Sequence, residues 1–282
     1  MPELKRVDAS CFEDVHALLL QFRNPRVTED QWRSLFAPRW NQDEGYAGYA
    51  LTDRGRVVGF LGYLFSSREI QGRPTRFCNL SSWIVEPEYR SDSLKLLMPA
   101  LKLREHTVTN LTPRPSVAKI LEKVGFRELE TGVRVVLPVP WVGGRNCDVT
   151  TDREEIAKSL GRREAVLFRD HADLPCGHVL LRDSGRSCYL VHTKRRYRGI
   201  DFTHVHHVSD PDLLAGNVGS VRGILSRLNG TPVTMIDRRF LGTTAIPWSF
   251  SKDYPAPLLY RSESVPREAI DNLYSELVLL RV

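Results

Sequence analysis

Val85-Glu-Pro87-Glu-Tyr-Arg90-Ser-Asp-Ser93-Leu-Lys95 joins two different patterns. Before it runs an apolar stretch, Cys78 to Ile84. After it, Leu94 to Leu103 repeats apolar residues at helical spacing. The stretch predicts a strand that turns sharply into a helix. A helix start leaves several backbone N–H groups unpaired and carries partial positive charge, so the turn from Arg90 to Lys95 can hold a phosphate. Read without a ligand, the same residues are a solvated helix start with Ser91 or Asp92 as N-cap.

Working outward, Leu4–Val7 reads as a strand. Asp8-Ala-Ser10 then caps a helix carrying Phe12, Val15, Leu18, Leu19 and Phe22. Glu29–Phe36 reads as a second helix, ended by Pro38. Tyr46–Leu51, Val57–Phe65 and Phe77–Val85 read as strands, with turns at Asp53-Arg-Gly55 and Gln71-Gly-Arg-Pro74. Behind the Leu94–Leu103 helix come a strand, His106–Leu111, and a helix opened by Pro113 and Pro115. Gly125 stops that helix as a C-cap, and Arg134–Leu137 closes the unit.

This βααβββαβαβ order, together with Val85, Pro87 and Arg90, resembles the GNAT acetyltransferase superfamily over residues 1–137. Ser93 and Lys95 stand where that family usually has small glycines. A second family signature is matched in part by Ile120-Leu121-Glu-Lys-Val-Gly125-Phe126. The resemblance implies an α/β fold, a mixed central sheet flanked by helices. It also implies acetyl-coenzyme A, or another acyl-coenzyme A, as co-substrate. The residues implied to bind it are Trp83, Ile84, Val85, Arg90, Ser91, Asp92, Ser93, Leu94 and Lys95.

Acyl transfer needs an oxyanion donor and a base for the acceptor proton. The resemblance places a backbone donor near Trp83 to Val85. The family's usual acid, a tyrosine, maps to Leu121, which cannot donate a proton, and its frequent asparagine maps to Arg114. No glutamate lies in 77–85, where a family base often sits. The polar candidates there are Asn79 and Ser81, which strand alternation puts on one face with Trp83. Cys78 reads as a small buried residue.

Pro138-Val-Pro140-Trp-Val-Gly143-Gly144 reads as a boundary between domains 1–140 and 141–282. Beyond it come strands at Cys176–Arg182, Ser187–Thr193 and Phe202–Val208. A helix capped by Asp210-Pro211 runs to Leu228, a strand follows at Val233–Ile236, and a closing helix is expected over Pro266–Leu280. The expectation is two tandem GNAT-like domains, the second degenerate and without coenzyme, helping to shape the acceptor cleft. Two clusters have alternative readings. His204 and His206 share a strand face as metal ligands do, yet a hydrogen-bonded pair accounts for them, and no metal is expected. Lys194-Arg-Arg-Tyr-Arg198 could contact nucleic acid, yet its place between strands reads as a solvated hairpin turn.

The net charge of +6 is split evenly, with 20 Lys/Arg and 17 Asp/Glu in each half. Such spreading argues against a nucleic-acid partner. No apolar run approaches the roughly 20 residues of a membrane span, and five scattered cysteines suit a reducing cytoplasm. The function implied is transfer of an acetyl or other short acyl group to an amine or hydroxyl of a small acceptor. The alternative is a non-catalytic ligand-binding or regulatory protein on the same fold.

Overall fold

Apolar runs punctuated by turns build strands, and among the described residues twelve strands join one sheet. The computed structural model describes residues 1–37, 39–40, 43–138, 147–197, 199–242 and 245–281. In chain order the elements are β1 (Glu3–Val7), α1 (Phe12–Leu19), α2 (Glu29–Ser34), β2 (Gly48–Asp53), β3 (Arg56–Ile70) and β4 (Arg73–Val85). Then come α3 (Leu94–Leu101), β5 (His106–Asn110), α4 (Pro115–Lys123) and β6 (Arg127–Val136). The chain continues with β7 (Asp148–Thr150), α5 (Arg153–Ser159), α6 (Arg162–His171), β8 (Gly177–Asp183), β9 (Arg186–Tyr197) and β10 (Ile200–Val208). It ends with α7 (Pro211–Asn229), β11 (Thr234–Asp237), β12 (Ser249–Arg261) and α8 (Glu276–Leu279).

The sheet order is β1-β2-β3-β4-β5-β12-β6-β11-β10-β9-β8-β7. From either edge inward it reads alike. Antiparallel neighbours come first, then one parallel pair, β4 with β5 at one end and β10 with β11 at the other. A parallel pair needs a crossover, and the longest regular elements in the two crossovers are α3 and α7. At the centre the strands are exchanged. β12, late in the chain, pairs with β5, while β6 pairs with β11. β6 and β12 also pair with each other, from Ser249↔Val136 to Tyr260↔Arg127.

Both faces of the sheet are covered, which explains the long apolar strands. On one face Phe60, Leu64, Leu180, Tyr189 and Val191 pack with α1, α2, α5, α6 and the chain's last residues, including Val278 and Leu279. On the other, Leu61, Cys78 and Leu80 pack with α3 and α4. There Val179, Leu181 and Leu190 pack with α7.

Three sequence expectations change. The closing helix over Pro266–Leu280 is reduced to a short 3-10 turn at Arg267–Ala269 and the four residues of α8. The segment between them is held by buried polar side chains rather than by helical periodicity. Strand β12 and helices α5 and α6 are additions, and β6 begins at Arg127 rather than Arg134. Pro38, Val139 to Gly144 of the boundary stretch and Arg198 lie outside the described residues.

Candidate active site

β4 and β5 run parallel only from Arg76↔His106 to Asn79↔Thr109. β4 then continues to Val85 while β5 ends at Asn110. From Leu80 onward the β5-facing edge of β4 therefore has no ladder partner. A bulge sits in the same place. Gly62 pairs with Ser81 and Phe60 with Ile84, so Ser82 and Trp83 together oppose one residue of β3. Ser82 takes φ +55°, a left-handed conformation that is uncommon outside glycine. Bulges of this kind re-aim side chains and interrupt pairing.

The bulge reverses the strand's alternation. Trp83 packs in the cluster that holds Leu80, and Ile84 joins the opposite one. Trp83 therefore does not share a face with Asn79 and Ser81 as strict alternation predicts. The reason is the extra residue, which period-2 reasoning does not contain.

The gap between the strands holds a cavity of about 250 Å³. Its walls include Ser81, Ser82 and Trp83 from β4, Asn110 from β5, and Arg114 and Val117 around the start of α4. Glu276 closes it from α8. Asn110 Oδ1 is buried without a hydrogen-bond partner. A buried acceptor left unpaired is costly.

Glu276 was not among the residues picked from sequence. It is 2% exposed and accepts hydrogen bonds from Asn79 Nδ2 and Thr112 Oγ1. Thr109 Oγ1 in turn donates to Asn79 Oδ1 at 3.0 Å. Burial pushes the Glu276 carboxyl above its usual range, against the opposing pull of Thr112, Asn79 and the more distant Arg195. Asn79 is thus a partner of the carboxylate. Ser81, also buried, lies 3.1 Å from Ser82 between their hydroxyl oxygens.

The second half of the chain fixes Glu276. Asp271 pairs with Arg68 at 2.6 Å and lies 3.1 Å from His207 Nδ1. Asn272 donates its N–H to the His206 carbonyl at 3.0 Å and its amide to Asp237 at 2.8 Å. Arg239 donates to Asn272 Oδ1 at 2.6 Å. Burial alone would raise the Asp271 carboxyl, but Arg68 and His207 outweigh it and hold it below the ordinary carboxylate range. Asp237 is likewise lowered despite its burial, by His204 and Arg239. A ligand signal at Glu276 was hidden because its partners lie some 165 to 200 positions away in sequence.

The predicted phosphate turn is helical throughout. Residues Pro87–Asp92 form a 3-10 helix that runs directly into α3. Neither Ser91 nor Asp92 is the N-cap of α3. That position is Ser93, and no side-chain hydrogen bond caps it. Lys95 pairs with Asp92 at 2.6 Å, and Arg90 is exposed with no ion pair among the described residues. Tyr63 O–H donates to the Leu96 carbonyl at 2.9 Å and ties α3 to β3. Leu94 is exposed and Ser91 is exposed. The start of α7, in the other crossover, is closed. Asp210 accepts from Leu213 N–H at 3.0 Å and forms paired contacts with Arg186 at 2.7 Å.

Leu121 points away from the cavity. It is fully buried among the residues packed around α3 and α4. The position onto which the family tyrosine maps therefore does not line this cavity. The α4 residue that reaches the cavity is Val117, one turn earlier, with Arg114 at the helix start. Gly125, with φ +92°, does stop α4, and Phe126 N–H returns to the Leu121 carbonyl at 3.1 Å.

The rings of His204 and His206 lie with centroids 4.6 Å apart and are tilted 55° to each other. His206 Nε2 lies 2.8 Å from Thr193 Oγ1 and His204 Nδ1 lies 2.9 Å from Arg195. Burial lowers both below the usual histidine value, so both rings are neutral near pH 7. Of the Lys194–Arg198 stretch, Lys194 to Tyr197 end β9 at its hairpin with β10, where Lys194 and Arg196 pair with Asp201 at 3.4 and 3.2 Å.

The fold is that of the GCN5-related N-acetyltransferases. A structure of that class from Anabaena variabilis is 10% identical, with a TM-score of 0.62, covering 93% of this chain and 72% of its own. Another from Kribbella flavida is 14% identical, with a TM-score of 0.56, covering 93% and 71%. Saccharomyces cerevisiae N-myristoyltransferase with bound myristoyl-CoA is 10% identical, with a TM-score of 0.52, covering 97% and 83%. No family model matches the sequence, and no curated protein matches it. No helix among the described residues is long and apolar enough to cross a membrane.

Proposed function

We propose that the chain is an acyltransferase that moves an acetyl or other short acyl group from an acyl-coenzyme A to an amine or hydroxyl of a small acceptor. The observation that carries this reading is the open edge of β4 facing a cavity closed by the buried carboxylate of Glu276. The free edge offers backbone donors and acceptors to an extended amide-bearing arm, as a sheet edge does to an added strand. Asn110 Oδ1 would take one donor. Arg90 and the uncapped start of α3 would take phosphate charge, with Trp83, Ile84, Val85, Ser91, Asp92, Ser93, Leu94 and Lys95 around them. The tandem reading, domains 1–140 and 141–282, is part of this proposal. Its support is the strand order common to both edges and the closed start of α7, which leaves one coenzyme site.

The chemistry assigned to the residues is direct transfer. The acceptor nitrogen or oxygen attacks the thioester carbonyl carbon. The carbonyl oxygen gains charge and meets N–H groups released by the bulge at Ser82 and Trp83. The acceptor proton passes to the Glu276 carboxylate. The carbon–sulfur bond breaks, and coenzyme A leaves as thiolate. Asn79 and Thr112 position Glu276, and a carboxyl raised by burial is a better base than an exposed one. Ser81 remains a polar wall of the cavity.

A second reading, a non-catalytic binding protein, is favoured by one observation. Among the described residues, the cavity wall contains no tyrosine that could protonate the thiolate. Turnover of acetyl-coenzyme A with a panel of amines separates the two. Coenzyme A release that depends on an added amine and is lost in Glu276→Gln supports the enzyme; saturable binding without release supports the binder.

A further inference from the structure

A second cavity, of about 380 Å³, lies across the centre of the sheet from the first. The two share Asn24 and Leu280 as common walls. Its lining is unusually cationic. Arg26 comes from the loop before α2, Arg195 from β9, Lys252 from β12 and Arg281 from the chain's last described residue. None of these four has a carboxylate at ion-pair distance among the described residues. The one carboxylate in the lining, Asp253, pairs with Arg238 at 3.1 Å. Cations gathered without counter-charge repel each other and favour an anionic ligand.

The arrangement is built rather than incidental. On β9, Arg195 lines the cavity over the Phe202 ring at 5.7 Å; Arg196 also lines it but, like Lys194, pairs with Asp201. His204 Nδ1 accepts from Arg195 Nη1 at 2.9 Å. Arg26 is held by the Arg196 carbonyl at 2.7 Å. Lys252 lies 5.4 Å from the Tyr197 ring, and Tyr254 donates its hydroxyl to Asp237 at 2.6 Å. Apolar ring faces therefore flank the charges.

We infer that this cavity is the acceptor subsite, and that the acceptor carries a carboxylate or phosphate group beside an apolar body. The inference rests on the acyl-transfer reading, because it is the shared wall that would let the acceptor's amine or hydroxyl reach Glu276. The anion would sit between Arg195 and Lys252, and its body against Phe202 and Tyr254.

Calorimetric titration of the full chain with benzoate, phenyl phosphate and neutral benzamide tests it. At least one anion should bind, with benzamide weaker by about tenfold or more, the size of one lost charge-assisted hydrogen bond. Lys252→Gln, an exposed change that leaves the core intact, should weaken the anion by about tenfold, and Arg195→Gln by at least as much. Lys158→Gln, an exposed cation that lines neither cavity, should leave it unchanged. The stronger anion identifies carboxylate or phosphate. Equal binding of benzamide, no binding of either anion, or anion binding unchanged in both Lys252→Gln and Arg195→Gln would overturn the inference. Acetyl-coenzyme A titrated into the same variants keeps the two claims apart. Loss of coenzyme binding in the wild type with anion binding retained defeats the transfer reading alone.

Discussion

At the scale of single residues, Glu276 separates function from stability. Its carboxyl is buried and its pKa raised. Below the unfolded value, about 4.3, it is neutral in both states and has no effect. Above the folded value it is ionised in both, and the buried charge weighs on the native state. Glu276→Gln removes that charge and keeps an amide able to meet Asn79 and Thr112. We expect the variant to unfold at an equal or higher temperature than wild type at pH 7, with the difference fading toward pH 4. Turnover should fall by about 10²–10⁴-fold, the usual contribution of a positioned base. In wild type, turnover should rise with pH through a value above the ordinary glutamate range. A stability loss at pH 7 with turnover intact would place Glu276 in a purely structural role. The residue was invisible to sequence reasoning because no local pattern marks a carboxylate whose partners lie on β4 and beyond β5.

At the scale of elements, α3 and α4 make opposite predictions. Arg90→Ala should weaken acetyl-coenzyme A by about 1–2 kcal/mol if a charge-assisted hydrogen bond to phosphate is lost; titration reads this directly. Leu121→Tyr should not supply an acid. The larger ring in a filled core should instead cost about 1–3 kcal/mol by denaturant unfolding. A gain in turnover from that change would show the α4 geometry is misassigned. The strands and helices of the first half were largely legible because each has a clean period and a marked end. Thr28 closes a capping box with Gln31, and Gly125 ends α4. The bulge at Ser82 was not legible, since serine carries no left-handed signature. Strand β12 was missed for a related reason. Its first residues, Ser249 to Tyr254, are mostly exposed, and they gain strand order from β6 rather than from their own apolar pattern.

At the scale of the whole molecule, the exchange of β6 and β12 makes each end of the sheet depend on the other. Arg68–Asp271 and the core shared by α1, α2, α5 and α6 act in the same direction. Unfolding should therefore be one cooperative transition, with tryptophan fluorescence and far-ultraviolet circular dichroism giving coincident midpoints. Two separated transitions would show that the halves are independent. The order of hairpin, strand, helix and strand in the second half, β8 to β11, was legible from its spacing. The exchange was not, because pairing across the centre is set by geometry some 120 residues apart, as in Ser249↔Val136.

The central claim is that the cleft between β4 and β5 binds acyl-coenzyme A beside a catalytic carboxylate. Calorimetric titration of acetyl-coenzyme A into wild type, Arg90→Ala and Glu276→Gln tests it most directly. The account predicts saturable one-to-one binding in wild type, a loss of roughly five- to thirtyfold in Arg90→Ala, and unchanged affinity in Glu276→Gln. No saturable heat in the wild type up to millimolar coenzyme would contradict it.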